Sequence, residues 1–436
     1  MKIENKYVGI IIGIILVVFA VENAEAIPAF ARKYKTSCAT CHMIFPRLTP
    51  FGEAFRLNGY RMPENEEELV KEDPVSLGAE AYKEVWPDGI WPGSIPGTVP
   101  IAFRVNNGFS YDKTNTETPT KFTIPAIQLF MGGTFTEKIS FFGSVLLVKG
   151  HNTNALQMVS LVFNDLFSSF LPDKAFNLRV GQFVPDLTTY KYKHRALTHT
   201  PYAINTYVPA MGNYWAPGSH QRFGIAGQVI GIEATGLLTS RMRYVIGLSN
   251  GNALHGEDNK AKDVFGKVAY KFGGMAFDGS STGEIFDAAG NNWSEKSITF
   301  SVFAYNSSRL DSDNDKDISL LRFGGDVNIF FRDLNFIGGF ITGRDEDYFN
   351  RVKIDREYNV FFFELSYMIY PWLVGDLRYE QANPKDIDTE SFNSISRYII
   401  NVSALYTANV KFSLETRINP DISKDKNLFI GIDFAF

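Results

Sequence analysis

The most specific chemical pattern in the chain is Cys38-Ala39-Thr40-Cys41-His42. Two thiols three positions apart can each add to a vinyl group of one haem, and the histidine that follows can bind the iron from below. The chain has 2 cysteines, so no thiol remains for a disulfide framework or a Cys-rich metal site. The pattern predicts one covalent haem c, attached through Cys38 and Cys41, with His42 as the proximal ligand.

Other chemistries use the same residue types, and the surrounding sequence argues against two of them. A thioredoxin-like redox pair needs a strand followed by a helix at the cysteines, and half of a zinc site needs two further ligands at matching spacing. Neither context is visible around Cys38 and Cys41. No Gly-rich phosphate loop, Ser/His/Asp grouping or zinc signature stands out elsewhere, so nothing predicts hydrolysis.

The distal ligand of such a haem is less specified. Met62, in Tyr60-Arg61-Met62-Pro63, is the first candidate, and apolar packing is its alternative role. Met43 directly follows His42 and is too close to swing around the ring. Three histidines remain as further candidates: His194, His199 and His220.

The first 26 residues predict export. Lys2 and Lys6 precede an almost continuous apolar run over residues 7–21, and Ala24-Glu25-Ala26 is a small-x-small cleavage site. The alternative is an uncleaved anchor, but the run is shorter than the roughly 20 residues that a spanning helix needs. No later apolar run is long enough for such a helix, so a membrane location would require a closed β-barrel.

Residues 27–97 are predicted to form a cytochrome c segment and its linker. Thr49 suits a helix N-cap, Pro50 the first helical position and Gly59 the stop, so we expect a helix over residues 50–58. Residues 86–93 are rich in Pro and Gly, which is typical of a linker. A segment this short cannot cover a haem alone, so the rest of the chain must shelter it.

From residue 98 onwards, alternating segments of about ten residues are separated by Asn, Asp, Gly and Ser. Phe412 and Leu414, for example, alternate with Lys411, Ser413 and Glu415. Full charges on the polar face suit the lumen of a membrane barrel whose apolar face contacts lipid. The terminal Phe436 also resembles the assembly signal of bacterial outer-membrane barrels. A soluble pair of β-sandwiches, with the apolar faces inside, is the alternative.

We therefore predict an all-β fold: an antiparallel outer-membrane β-barrel of about sixteen strands within residues 98–436. The small, mostly helical N-terminal haem segment is expected to plug its lumen. The predicted strands cover residues 100–110, 122–135, 138–148, 156–164, 176–183, 221–236, 241–250, 262–272, 296–306, 318–331, 334–342, 357–369, 372–381, 394–407, 409–419 and 427–436.

Three stretches differ from this rhythm. Residues 184–220 lack convincing alternation and carry many basic and aromatic side chains. Because structureless loops of this length are usually functional or disordered, we expect this one to fold into the lumen and touch the haem segment, with a surface loop as the alternative. Residues 311–317 and 344–347 are acidic hairpin tips, which either attract Fe²⁺ or are simply solvated.

Several motifs near the N-terminus resemble one known family. They are Pro28-Ala29-Phe30-Ala31-Arg32, Cys38-Ala39-Thr40-Cys41-His42, Pro46-x-Leu48, Phe51-Gly52-x-x-Phe55 and Gly59-Tyr60. Together they resemble the fused outer-membrane monohaem cytochrome–porins of iron-oxidising bacteria. The resemblance is sharp over this segment and concerns architecture alone over the rest of the chain.

The resemblance implies an outer-membrane electron-transfer protein that oxidises extracellular Fe(II) and passes electrons to a soluble periplasmic c-type cytochrome. If the chain is an enzyme, it is then an Fe(II):cytochrome c oxidoreductase. Two alternatives stay open: a solute-conducting porin with a haem-bearing plug, and outward electron transfer to an extracellular acceptor. The net charge of -5 argues against a nucleic-acid partner.

Overall fold

The structure is a computed structural model of the chain. It describes residues 29–71, 73, 75–76, 78, 80–89, 94–95, 97, 100–113, 119–136, 138–149, 152–190, 196–203, 227–250, 260–281, 293–311, 316–346, 356–385, 395–420 and 426–435. The predicted signal peptide, His194, His220 and the terminal Phe436 lie outside the described residues.

The C-terminal part is a closed barrel of sixteen antiparallel strands, each paired with its sequence neighbour. Closure comes from the last strand pairing with the first, with Ala435 opposite Arg104. The strands are β5 Ile101–Asp112, β6 Thr120–Thr136, β7 Ile139–Lys149, β8 Asn152–Phe163, β9 Asn177–Phe183, β10 Val229–Thr239, β11 Met242–Asn250, β12 Lys262–Gly273, β13 Glu295–Asp311, β14 Lys316–Arg332, β15 Leu334–Asp345, β16 Arg356–Tyr370, β17 Leu373–Pro384, β18 Ile395–Thr407, β19 Val410–Ile418 and β20 Lys426–Ala435.

These strands confirm the predicted fold class, and each predicted strand has a counterpart. The clearest difference is β10, which begins at Val229 rather than at residue 221; residues 221–226 lie outside the described part of the chain. β13 and β14 extend further than predicted, because their pairing continues to Asp311 and Lys316 next to the loop. Polar residues at a hairpin tip hide such an extension from a hydrophobicity pattern.

The two faces of the barrel have opposite character. Three side chains that point outward are each at least half exposed: Ile246, Val302 and Leu414. Arg378 and Glu380, by contrast, point inward and are fully buried. An apolar exterior around a charged interior is the pattern of a barrel in lipid and the reverse of a soluble sandwich. The charged face predicted from alternation is therefore the inner one.

The two ends of the barrel differ in loop length. At one end the connections are mostly tight, such as residues 240–241, residue 333 and residues 408–409. At the other end they include residues 184–228 and 251–261. We call these the short-turn end and the long-loop end. β5 starts at the short-turn end, so the N-terminal segment joins the barrel there.

The N-terminal segment is a small plug made of short elements. Its helices are α1 Ala29–Tyr34, α2 Pro50–Leu57, α3 Glu66–Leu69 and α4 Glu80–Val85, with a 3-10 turn at Cys38–Thr40 and strand pairs β1 His42–Ile44 with β2 Arg47–Leu48 and β3 Val75–Ser76 with β4 Ser94–Ile95. The predicted helix over residues 50–58 is confirmed as α2, and the Thr49 hydroxyl caps it by accepting from the Gly52 N–H. No helix among the described residues is long and apolar enough to cross a membrane.

Candidate functional site

The Cys-x-x-Cys-His run forms a compact local structure. Ser37 caps the 3-10 turn by accepting from the Ala39 N–H, and the Cys41 N–H donates to the Cys38 carbonyl at 3.2 Å. His42 then opens the β1–β2 pair, opposite Leu48. The turn therefore brings both sulfur atoms to the start of the strand that carries the histidine. Such closeness is what attachment of one haem at two vinyl groups requires.

The imidazole of His42 is oriented by the backbone of its own hairpin. Its Nδ1 lies 3.2 Å from the carbonyl oxygen of Pro46. A carbonyl oxygen can only accept, so Nδ1 carries the proton in the neutral ring and Nε2 carries the lone pair. Iron-binding histidines are commonly held in this way, with the second nitrogen donating to a carbonyl. The ring is thus prepared to bind iron through Nε2.

Helix α2 supports the run from behind through a very close approach at Gly52. A Cβ atom at this position would lie 2.1 Å from the Cys41 carbonyl oxygen. That same oxygen accepts from the Thr49 N–H at 2.9 Å. The residue at position 52 must therefore lack a side chain if the helix is to hold the Cys41 backbone in place.

Replacing Gly52 by alanine is expected to push α2 away from Cys41 and to destabilise the plug by about 1–3 kcal/mol, the usual cost of overpacking. The measurement is the haem-to-protein ratio of the purified chain together with its guanidinium unfolding midpoint. Gly375→Ala is the matched control, because its added Cβ would meet only Ile369 Cδ1 at 3.9 Å. Equal values for both variants would contradict this role of Gly52.

A cavity of about 360 Å³ lies beside the run, between the plug and the barrel wall. Cys38, Cys41, His42 and Met62 all line it. Much of its remaining wall is apolar or aromatic, contributed by the plug (Phe30, Tyr34, Phe55, Leu57, Tyr60) and by the strands (Phe103, Phe130, Phe142, Val162). The volume falls within the usual range of 300–1,000 Å³ for ligand sites. Two thiols, an oriented imidazole and apolar walls fit a c-type haem.

The aromatic wall is a continuous stack from plug to barrel. The Tyr60 ring stacks on Phe30 at 5.5 Å and on Phe142 of β7 at 5.1 Å. The sequence predicts that the barrel shelters this site but does not indicate which strands do so. Stacked rings of this kind exclude water from the cavity wall and bind the plug to the barrel.

The structure places the candidate distal ligands in different parts of the molecule. Met62 is buried at the cavity, and its position is fixed because its N–H donates to Glu66 at 2.6 Å while its carbonyl accepts from Asn58 at 2.8 Å. Met43 packs in a different cluster, with Ile44 and Trp293. His199 stacks on Phe429, with ring centroids 3.8 Å apart, and does not line the cavity.

Two further methionines line the cavity, Met131 of β6 and Met158 of β8. Met158 lies on β8, opposite Ser144 of β7, and was not singled out by sequence reasoning. The signal was present, because alternation along this strand places Met158 with Ser160 and Val162 on the inner face. An inward methionine on a mostly apolar strand, however, is indistinguishable from a packing residue until the cavity is seen.

Burial makes the thiols poor candidates for redox or thiolate chemistry of their own. The pKa of Cys41 is raised to about 12, mainly by desolvation and to a smaller extent by the neighbouring Cys38. Desolvation also raises the pKa of Cys38. Reactive cysteines and metal-binding thiolates have lowered pKa values instead. Among the described residues, no group of three or more His, Cys, Asp or Glu side chains could hold a metal ion.

A buried ion network fastens the plug inside the lumen. Arg47 pairs with Glu364 of β16, and its guanidinium also donates to Ser366 at 2.6 Å and to Tyr202 at 3.3 Å. Arg47 and Glu364 are almost completely inaccessible to water. An arginine this buried is stable only with such partners. The plug is therefore held at the level of Glu364 and Ser366 on β16.

The long loop after β9 enters the lumen and meets the plug, as predicted for its described part. Asp186 pairs with Arg56 of α2 at 3.0 Å and with Arg243 of β11. Tyr202 reaches both Arg47 and Glu364. The basic residues between 191 and 195 and the stretch 204–226 lie outside the described residues. Plug and loop thus share one side of the lumen.

Comparison with solved structures identifies the barrel. An anion-selective porin from Comamonas acidovorans aligns over 78% of this chain and 99% of its own, with a TM-score of 0.55 and 11% identity. The fold is that of a porin-like outer-membrane barrel. Salmonella typhi OmpF in complex with daunomycin aligns over 79% and 98% (TM-score 0.52, 10% identity), and the outer-membrane channel DcaP of Acinetobacter baumannii over 78% and 97% (TM-score 0.51, 12% identity).

No protein-family model and no curated protein sequence matches the chain. Outer-membrane barrels have short periplasmic turns and longer extracellular loops. The short-turn end corresponds to the periplasmic end of such barrels. Asn409 and Ala435, at that end, line the cavity. The Cys-x-x-Cys-His cavity thus extends to the short-turn end of the barrel.

Proposed function

We propose that this chain is an outer-membrane electron-transfer protein with one covalent haem c in its barrel, taking electrons from extracellular Fe(II) and passing them to a periplasmic c-type cytochrome. The observation that carries the proposal is the convergence of Cys38, Cys41 and His42 on one cavity between plug and wall. A plain porin has no use for this arrangement. When bound, the haem supplies one-electron redox chemistry.

Each residue of the cavity has a distinct role in the proposal. Cys38 and Cys41 would hold the group covalently, and His42, oriented by the Pro46 carbonyl, would bind the iron through Nε2. The apolar wall excludes water, and burial of this kind tunes a redox potential. For each Fe(II) that becomes Fe(III), one electron leaves towards the periplasm and reduces one acceptor cytochrome by one electron.

The depth of the cavity suits a soluble acceptor on the periplasmic side. A hydrocarbon band about 25 Å tall is much longer than one haem, so a centrally placed group would be far from both surfaces. Here the cavity reaches the periplasmic end at Asn409 and Ala435. A periplasmic cytochrome could therefore dock in the barrel mouth, and charged docking would make the rate depend on salt.

We propose Met62 as the distal ligand. Met62→Ala is expected to abolish the long-wavelength sulfur–iron charge-transfer absorption of the oxidised protein and to lower its midpoint potential, because a methionine ligand raises the potential of a haem. Met158→Ala is the matched control, since it removes another methionine that lines the same cavity. Loss of the absorption in Met158→Ala alone would instead identify Met158, on the barrel wall, as the distal ligand.

The same protein would test the direction of transfer in liposomes that enclose a soluble c-type cytochrome. Fe(II) added outside is expected to reduce the enclosed cytochrome in vesicles that carry the protein and not in empty ones. Reduction only of an external acceptor by a pre-reduced enclosed cytochrome would instead support outward transfer. The two results separate the two directions when the donor in each assay has a lower potential than its acceptor.

The second candidate, solute conduction, is supported by the porin-like fold itself. Against it, plug and loop together bury the inner face along much of the wall, including Glu364, Arg378 and Glu380. We therefore expect single-channel conductance in a planar bilayer well below that of an unplugged barrel of sixteen strands. Conductance at the level of an unplugged porin would favour the solute channel.

A further inference from the structure

Among the residues that the structure describes, those that fill the lumen are distributed unevenly around its circumference. The described part of the long loop contacts inward side chains from β10 to β19, such as Glu233, Asp326 and Glu415. Inward side chains on these strands are almost fully buried, for example Phe362 and Arg397. The loop and the plug therefore pack against one part of the wall.

The wall formed by β5 to β8 differs. Asn106 of β5 faces the lumen, opposite Asp433 of β20, and is exposed. Gln128 of β6 and Gln157 of β8 are only half-buried. Side chains that point into a barrel can be exposed only where the lumen admits solvent. We call the space next to Asn106, Gln128 and Gln157 the vestibule.

The vestibule lies directly above the cavity. On β5, Asn106 is two residues further towards the extracellular end than Arg104, which lines the cavity. On β6, Gln128 has the same relation to Phe130. On β8, Gln157 immediately precedes Met158 at a β-bulge, where the pairing with β7 skips Gln157, so both side chains can face the lumen. The Gln128 side-chain amide donates to Gln157 across β7, so this pair spans the boundary between the two spaces.

We infer that a small extracellular reductant reaches the edge of the haem cavity through this vestibule, and that the Gln128–Gln157 pair is the last barrier it meets. This inference rests on the proposed function, because it gives the path by which the electron donor arrives. A hydrated or chelated metal ion suits a passage lined by neutral amides, whereas a protein donor is too large for the lumen.

The cysteine content of the chain allows a clean test. Both native thiols are consumed by haem attachment, so an introduced cysteine is the only free thiol of the holoprotein. Asn106→Cys is expected to react quickly with a hydrophilic maleimide. Ser301→Cys, inward and buried on β13, is the matched control; it reacts only through local opening and should be slower on the order of a hundredfold.

The labelled protein then reports on the path. Attaching a bulky maleimide to Asn106→Cys is expected to slow haem reduction by Fe(II) by about tenfold, since access becomes the slow step. Replacing Gln128 and Gln157 together by alanine should accelerate it by a similar factor, about tenfold. The unlabelled Asn106→Cys protein serves as the reference for both rates.

Three results would overturn the inference: labelling of Asn106→Cys no faster than of Ser301→Cys, unchanged reduction after labelling, or an unchanged rate without the glutamine pair. The labelling rate requires no electron transfer, so it remains informative even if Fe(II) is not the donor. In that case any small hydrophilic reductant of the haem replaces Fe(II) in the second measurement. Failure of the path and failure of the proposed function are therefore distinguishable.

Discussion

A chain with both Cys38 and Cys41 replaced by alanine is expected to assemble a normal barrel that carries no covalent haem. The two thiols are the only groups that could form thioether bonds, and neither takes part in the strand pairing of the barrel. Haem staining of the denatured protein should fall to background. Heat-modifiable migration in gels, which reports a folded barrel, should remain.

His42→Ala provides the matching control for that result. The two thioether bonds need no ligand at the iron, so the denatured protein should still stain for haem, while the absorption spectrum of the folded protein should change because Nε2 is lost. Persistent haem staining in the double cysteine variant would contradict the assignment of the motif. Loss of the folded barrel would instead show that the plug is needed for assembly.

Replacing Arg47 by alanine is expected to release the plug from the lumen. The change leaves the Glu364 carboxylate buried with Arg378 at 3.4 Å as its remaining cation, and removes the donors to Ser366 and Tyr202. Breaking a buried pair in this way costs about 3–5 kcal/mol. The measurement is the guanidinium unfolding midpoint together with the rate at which a protease cleaves residues 29–97.

The control for Arg47 is an ion pair at the surface. Lys385 and Glu357 lie 3.4 Å apart with both side chains more than 40% exposed, and an exposed pair contributes only about 0–1 kcal/mol. Lys385→Ala should therefore leave both the midpoint and the protease sensitivity nearly unchanged. If Arg47→Ala behaves like Lys385→Ala, the ion network does not hold the plug.

The barrel could be predicted because its physics is local. Each strand can be recognised from alternating apolar and polar residues, since one face of the strand contacts lipid and the other faces the lumen. The motif from Cys38 to His42 can likewise be recognised from five consecutive residues. Even the helix at Pro50–Leu57 follows from its own cap residues. In these cases neighbouring residues determine the structure that forms.

The anchoring of the plug could not be predicted because it depends on residues far apart in the chain. Arg47 and Glu364 are 317 positions apart, and each is unremarkable in its own segment. Met158 is a candidate haem ligand only because β8 passes beside the cavity. The uneven filling of the lumen likewise depends on where the long loop lies after it leaves β9. Its composition is compatible with a surface loop as well as with a loop inside the lumen.

The most direct test of the central claim is a visible spectrum of the detergent-purified, oxidised holoprotein before and after addition of Fe(II) without oxygen. The reduced c-type α-band is expected to appear promptly and to the same extent as with dithionite. If dithionite produces the band and Fe(II) does not, the protein is not an iron oxidase under those conditions. Absence of a c-type band with either reductant would contradict the haem itself.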